Sequence, residues 1–287
     1  MENIICLGTV ACNIGYTLKE YKNYKIYYID DSPLPFRVSK SSFKQVQKYE
    51  SPEKYEEEYD STVDSFLSKV TGRVTFFVCG ASLLSGSLLR VMQGVHPRSA
   101  NELRVVYIKP ETELLSETKK LQERVVRNVL QQYARSGVLR SLSMVSNDCV
   151  VHLLGEVSLL EHFEKINEII SSTFHMVNVF GNTKSVVDTL SPPRPTSRIR
   201  TYSVFQPVSE GNSPETVLYP LAELAEAQYY YGIPSESLRS EKDLYKLILA
   251  EMKKRLENFS KVSYGIYETS YDAKIGYGVI PRECHNN

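Results

Sequence analysis

The 287-residue chain has no tryptophan, no excess of either charge, no long apolar run and no closely spaced cysteines. Thirty-four basic side chains cancel 34 acidic ones, so no general field draws the protein to nucleic acid or to an anionic membrane. No segment approaches the roughly 18 apolar residues that a membrane span needs, and no charged leader opens the sequence. Cys6, Cys12, Cys79, Cys149 and Cys284 are scattered without metal-ligand spacing, several of them in apolar runs, and read as reduced thiols of a cytoplasmic protein. His152, His162 and His175 find no carboxylate or cysteine at useful spacing and read as core or surface histidines, with no metal expected. What is present is ordinary for a globular chain, 42% hydrophobic and 24% charged, and long enough for two modest domains or one large one. Twenty tyrosines are unusual but choose no function.

The most informative stretch is Phe76 to Leu89, FFVCGASLLSGSLL. Phe76 to Cys79 is the short apolar run of a buried parallel strand, Gly80 ends it, and a small-residue turn leads into an apolar helix. A strand that stops at glycine and feeds a helix N-terminus offers backbone N–H groups and the positive helix end to an anion. Ser82, Ser85, Gly86 and Ser87 supply small side chains and hydroxyls, whereas Leu83 and Leu84 are bulky where a phosphate cradle usually has glycine. On this stretch alone an anion site and a plain strand-to-helix turn both stand.

Asn3 to Leu7, closed by Gly8 and followed by a helical pattern through Val10, Ile14 and Leu18, repeats the strand, glycine, helix unit. Lys25 to Ile29 is a strand ending in Asp30 and Asp31, and Ser32 to Ser51 reads as a long loop over that edge. Tyr55, Tyr59, Val63, Phe66 and Val70 predict a helix with a charged outer face. Leu103 to Ile108 is another buried strand, Glu117 to Tyr133 an amphipathic helix, and Ser141 to Val145 a strand ending at Ser146, Asn147 and Asp148. This alternation predicts an α/β fold with a parallel, doubly wound sheet over residues 1–157. Leu159, Phe163, Ile166, Ile170 and Phe174, widened by Leu160 and Ile169, then predict a long central helix at 158–176. The proline-rich Ser191 to Arg198 marks a boundary before a smaller α+β domain at 198–287, with a strand at 199–205, helices near 221–231 and 242–259, and strands at 262–268 and 274–280.

These landmarks, in this order, resemble the tubulin/FtsZ superfamily over roughly Asn3 to Tyr202. Ser158, Leu159, Leu160, Glu161, Phe163 and Asn167 follow the spacing of that family's block leading into its central helix. LGTVACNIG is similar to its first glycine-rich turn, KIYYID to the strand ending in an acid, and VVYIKP to the strand ending in Lys-Pro or Thr-Pro. The resemblance implies a GTP or GDP pocket: Gly8, Asn13, Gly80, Ser82, Ser85, Gly86 and Ser87 near the phosphates, Glu117 at the ribose, and Asn147, Phe163 and Asn167 at the guanine. Phe163 would stack on the base; core packing explains its place on the stripe equally well.

Two departures matter. The family's GGGTGTG reads Ser82, Leu83, Leu84, Ser85, Gly86, Ser87, Leu88 here, and its arginine after the ribose acid is Leu121. Its paired acids beyond the central helix, which polarise water on a neighbouring subunit's nucleotide, are replaced by Phe180 and Thr183 after Asn178, with Asp188 as a weak substitute. The expectation is a degenerate pocket with weak or no hydrolysis, in a chain that self-associates head to tail or docks to protein partners. The alternatives are a working polymerising GTPase and a nucleotide-free structural subunit.

Overall fold

Short apolar strands separated by glycine or acidic turns build the first part of the molecule. The computed structural model describes residues 1–113, 115–208, 215–224 and 226–282, and the chain divides into two compact units, Met1–Ser171 and Ser172–Asn287. Cys284 lies outside the described residues.

In the first unit the chain runs through β1 (Glu2–Leu7), α1 (Thr9–Leu18), β2 (Tyr24–Asp30), β3 (Phe43–Gln45), α2 (Pro52–Glu57), α3 (Thr62–Phe66), β4 (Val74–Cys79), α4 (Leu88–Val95), β5 (Leu103–Lys109), α5 (Glu117–Arg135), β6 (Ser141–Ser146) and the short α6 (Asn147–Val150). A 3-10 turn, Leu83–Ser87, joins β4 to α4. The strands lie in the order β3-β2-β1-β4-β5-β6, every neighbouring pair parallel. This is the doubly wound arrangement, and the order reverses between β1 and β4. The two central strands show why apolar runs become strands here: every residue of β4 and nearly all of β1 are buried, as a sheet covered on both faces requires. The register places Leu7 beside Val78, Cys79 beside Ile108 and Lys109 beside Ser146, so the turns after β1, β4, β5 and β6 emerge along one edge.

The predicted helix over Tyr55 to Val70 is broken into α2 and α3. Ser51 caps α2, its side chain accepting from the Lys54 amide at 3.4 Å with Pro52 at the first helical position, and α2 ends at Glu58. The loop at 32–51 contains β3, a three-residue edge strand.

α7 (His162–Gly181) is the long helix, running 162–181 where the sequence predicts 158–176. Leu159 and Leu160 precede it in a turn and are 87% and 94% exposed, so the predicted stripe loses its first turn. Ile166, Ile170, Phe174, Met176, Val177 and Phe180 are its buried apolar residues, with Ser171, Thr173 and His175 buried beside them.

The second unit comprises the end of α7, β7 (Val187–Asp188), β8 (Ile199–Phe205), β9 (Thr216–Val217), β10 (Glu226–Pro234), α8 (Ser235–Ser240), α9 (Leu244–Arg255), β11 (Lys261–Thr269) and β12 (Ile275–Pro281). The helix predicted near 221–231 is replaced by β10. Its residues Gln228 to Ile233 include three consecutive tyrosines and an isoleucine, which favour a pleated, buried strand over a helix. β10 pairs parallel with β11 through the α8–α9 crossover and antiparallel with β12, which pairs with β8; β7 forms an edge on β11. Leu244, Ile248 and Met252, four apart on α9, pack with Phe205, Tyr229, Tyr231 and Ile266 in the core. Within it the Arg255 guanidinium lies 4.1 Å from the centroids of both Phe205 and Tyr229 and pairs with Glu215, which also accepts from Ser203 and from Tyr229 at 3.2 Å.

Candidate functional site

The turns at the carboxyl edge of the first unit's sheet carry several of the residues the sequence singles out. Gly8 leaves β1 with φ +86°, a conformation that favours glycine, and serves as N-cap of α1 without any side-chain bond to the helix. A Cβ on Gly8 would meet Ser82 Oγ at 2.8 Å, so the β1 and β4 turns touch at this point. Asn13 is half-buried on the second turn of α1.

Two of the three serine hydroxyls of the 82–88 turn are taken up within the protein. Ser85 Oγ donates to the Ser82 carbonyl at 2.5 Å and accepts from Gln122 Nε2 at 2.9 Å. Ser87 Oγ donates to the Leu84 carbonyl at 2.9 Å, and both serines are about 5% exposed or less. The bare faces of the glycines are also filled. A Cβ on Gly86 would lie 2.0 Å from the Pro52 carbonyl oxygen of α2, and one on Gly80 would lie 2.1 Å from the Tyr107 hydroxyl. That hydroxyl donates to Glu123 at 2.6 Å, and Glu123, itself buried, pairs with Arg127 at 2.9 Å. Leu84 and Leu88 are buried and Leu83 half-buried.

Two residues that sequence reading left out of the site stand beside it. Asp30, at the end of β2, is only 2% exposed; burial pushes its carboxyl above the usual range, while the Thr9 hydroxyl and the Asp31 amide, at 2.8 Å, hold it. The bond to Thr9 ties the end of β2 to the first residue of α1. The acid at the strand end was visible in the sequence; its burial and its bond to Thr9 were not. Gln122 was likewise hidden, a polar position on an amphipathic helix that proves to face inward.

The residues expected at the base and the ribose follow β6 and β5. Asn147 begins α6 directly after β6, and its Oδ1 is enclosed without a hydrogen-bond partner. Phe163, in the first turn of α7, is 66% exposed, which removes core packing as the account of that residue. Asn167 stands one turn further along the same helix, half-buried. Glu117 lies in the first turn of α5, its side chain largely exposed and 2.9 Å from Lys120, whose hydrogen bond and charge lower its pKa. Among the described residues no group of three or more histidine, cysteine or acidic side chains could hold a metal ion, and no helix is long and apolar enough to cross a membrane.

No protein-family model and no curated protein sequence matches this chain. Solved structures do. TubZ of Bacillus thuringiensis serovar israelensis, in a GTPγS-form protofilament, superposes with TM-score 0.77 at 10% identity, covering 98% of this chain and 86% of TubZ. CetZ of Methanosaeta thermophila gives 0.72 at 10% identity, over 99% of this chain and 86% of CetZ. This is the tubulin/FtsZ fold. The empty FtsZ dimer of M. jannaschii follows at 0.68 and 11% identity, over 97% of this chain and 87% of FtsZ. In the frame of the tubulin/FtsZ fold, the last turn of the central helix and the residues that follow it are informative. Phe180 is 3% exposed and stacks on Tyr267 with ring centroids 4.7 Å apart, while Asn182 Nδ2 donates back to the Asn178 carbonyl at 2.6 Å. Thr183 is exposed and donates to the Val179 carbonyl. Asp188 is exposed on the edge strand β7, accepting from Ser185.

Proposed function

We propose that this protein is a self-associating subunit of the tubulin/FtsZ type. Its pocket takes the guanine end of GTP or GDP while contributing little to the phosphates, and it hydrolyses nucleotide weakly or not at all. One contrast carries this reading. The Ser85 and Ser87 hydroxyls and the glycine faces of the phosphate-type turn are engaged by Ser82, Gln122, Leu84, Pro52 and Tyr107, whereas the Asn147 acceptor has no partner and the Phe163 ring is exposed. An enclosed acceptor without a partner favours a ligand N–H, and an exposed ring at a helix start favours a flat base. Phe180 supports weak turnover, because a core aromatic cannot orient water as a carboxylate does. Self-association draws support from neighbours solved as a protofilament, as filaments and as a dimer. We place its work in the cytosol, where thiols such as the buried Cys6, Cys12 and Cys79 stay reduced.

The test is calorimetric titration of the purified chain with guanosine, GDP, GTP and ATP, paired with light scattering and phosphate release. The expected result is GTP affinity within about tenfold of guanosine affinity, that is, less than about 1.4 kcal/mol from three phosphates. Assembly should proceed without phosphate release. GTP binding a thousandfold tighter than guanosine, with turnover on assembly, overturns the reading.

A further inference from the structure

The crossovers of the first unit put an acidic and a basic helix on the same side of its sheet. From β3 to β4, β4 to β5 and β5 to β6 the chain advances toward the β6 edge. Right-handed crossovers therefore place α2 with α3, then α4, then α5 on one face, while α1, which steps back from β1 to β2, lies on the other. The 82–88 turn touches both outer helices, Gly86 against Pro52 of α2 and Ser85 against Gln122 of α5.

The outward side of α5 is apolar along one turn. Val126, Leu130 and Ala134 face the core, while on the opposite side Leu121 is 58% and Val125 48% exposed, four residues apart. Cations flank this pair. Lys119, Arg124 and Arg135 are exposed and form no ion pair among the described residues, whereas Lys120 and Arg127 are held by Glu117 and Glu123 at 2.9 Å each. α2 carries the opposite charge. Glu53, Glu56, Glu57 and Glu58 are exposed around Lys54, and none of the four is ion-paired among the described residues. The cations nearest to α2 are engaged elsewhere: Lys44 pairs with Asp60 at 3.1 Å, and Arg90 of α4 acts on Tyr59, whose hydroxyl donates to Asp64.

We propose that the outward face of α5 receives α2 of a second copy of this chain. Both helices lie on one face, so a copy that is merely translated cannot bring them together. A copy turned over about a two-fold axis along the strands, through α4, lays α2 of each protomer on α5 of the other and makes the contact twice. Leu121 and Val125 are then covered at the centre, with glutamates meeting Lys119 and Arg124 at the rim. An anionic membrane is the poorer occupant, because it would meet the α2 glutamates on the same face. This contact is isologous and closes at two copies, so it goes beyond the head-to-tail association expected from the family resemblance.

The test is sedimentation velocity of the full chain without nucleotide, from roughly 1 µM to 0.3 mM. The expected result is a reversible monomer–dimer equilibrium at about 0.05 M salt that weakens at least about tenfold by about 0.5 M. Lys119→Glu with Arg124→Glu, or separately Glu56→Lys with Glu57→Lys, should each abolish the dimer. An equimolar mixture of these two variants should dimerise again, as should one chain carrying all four substitutions. That last chain keeps the parent's net charge, so its recovery reports pairing and not overall charge. Leu121→Ser with Val125→Ser, which leaves every charge in place, should also weaken the dimer, and circular dichroism shows that each variant has folded. A monomer at every concentration, a dimer indifferent to both charge reversals, or no recovery in the mixture overturns the proposal. So does binding to phosphatidylserine vesicles that the α5 reversal removes in the absence of any dimer. Head-to-tail assembly yields species larger than a dimer that ignore these substitutions, so failure of one reading leaves the other standing.

Discussion

Replacing Gly86 by alanine adds one methyl group at the point where α2 crosses the 82–88 turn, and it separates two explanations of that glycine. Gly86 is not among the residues with positive φ, so alanine meets no backbone strain. Its methyl carbon, however, would sit 2.0 Å from the Pro52 carbonyl oxygen and 2.7 Å from the carbonyl carbon. An unstrained carbon-to-oxygen contact is about 3.3 Å, so α2 or the turn has to give by more than about 1 Å. Overpacking of this kind costs about 1–3 kcal/mol, while alanine returns about 0.4–1 kcal/mol by restricting the unfolded chain. The net expectation is a loss of about 1–2 kcal/mol, which at an m-value near 2 kcal/mol/M lowers the urea midpoint by roughly 0.5–1 M. The assay is urea unfolding followed by circular dichroism without nucleotide, with amide exchange across α2 to locate the loosening. Were glycine kept there for a phosphate, the variant would be as stable as the parent and only nucleotide affinity would fall. An unchanged or higher midpoint refutes the packing argument and reopens the turn as an anion cradle.

Phe180→Asp places a carboxylate where the resemblance leads one to expect an acid, but the side chain is buried among Tyr230, Tyr267 and Tyr277. The expected outcome is destabilisation of about 3–5 kcal/mol with no gain in phosphate release, and a folded variant that gains GTPase activity would show that the position is catalytic after all. Tyr55 gives a pH signature: burial and the adjacent Asp31 push its hydroxyl up to about 12, from 10.0. The folded chain holds that proton more tightly, so the associated stability is complete below pH 10 and is lost as pH rises toward about 12. The stability difference between wild type and Tyr55→Phe should therefore shrink across that interval in urea titrations, and a difference that stays flat or grows contradicts the Tyr55–Asp31 bond.

The strands of the first unit were legible because burial on both faces leaves a largely apolar run, as in Phe76 to Cys79, and a glycine or acid closes β1, β2 and β4. The boundaries of α7 were less so. Leu159 and Leu160 continue its period but lie before its first turn, and periodicity cannot tell an exposed leucine from a buried one. Gln228 to Ile233 was misread because its neighbours carry helix-favouring Ala, Glu and Leu, and three tyrosines in a row have no helical or strand period of their own. At the site, residue types and order pointed to the right edge of the sheet. Whether a serine hydroxyl faces a ligand or its own backbone depends on partners distant in sequence, Gln122 for Ser85 and Pro52 for Gly86, and no local pattern encodes those.

The sheet edges limit how copies of this chain can join. β3 is three residues long, with Lys44 at its centre drawn onto Asp60, and β7 is two residues long. Neither offers enough unpaired main chain to recruit a strand from another molecule. If copies of this chain join as proposed above, these two short strands are poor templates for main-chain pairing, and a joint built on side-chain surfaces can be broken by point substitutions without unravelling any subunit's backbone pairing.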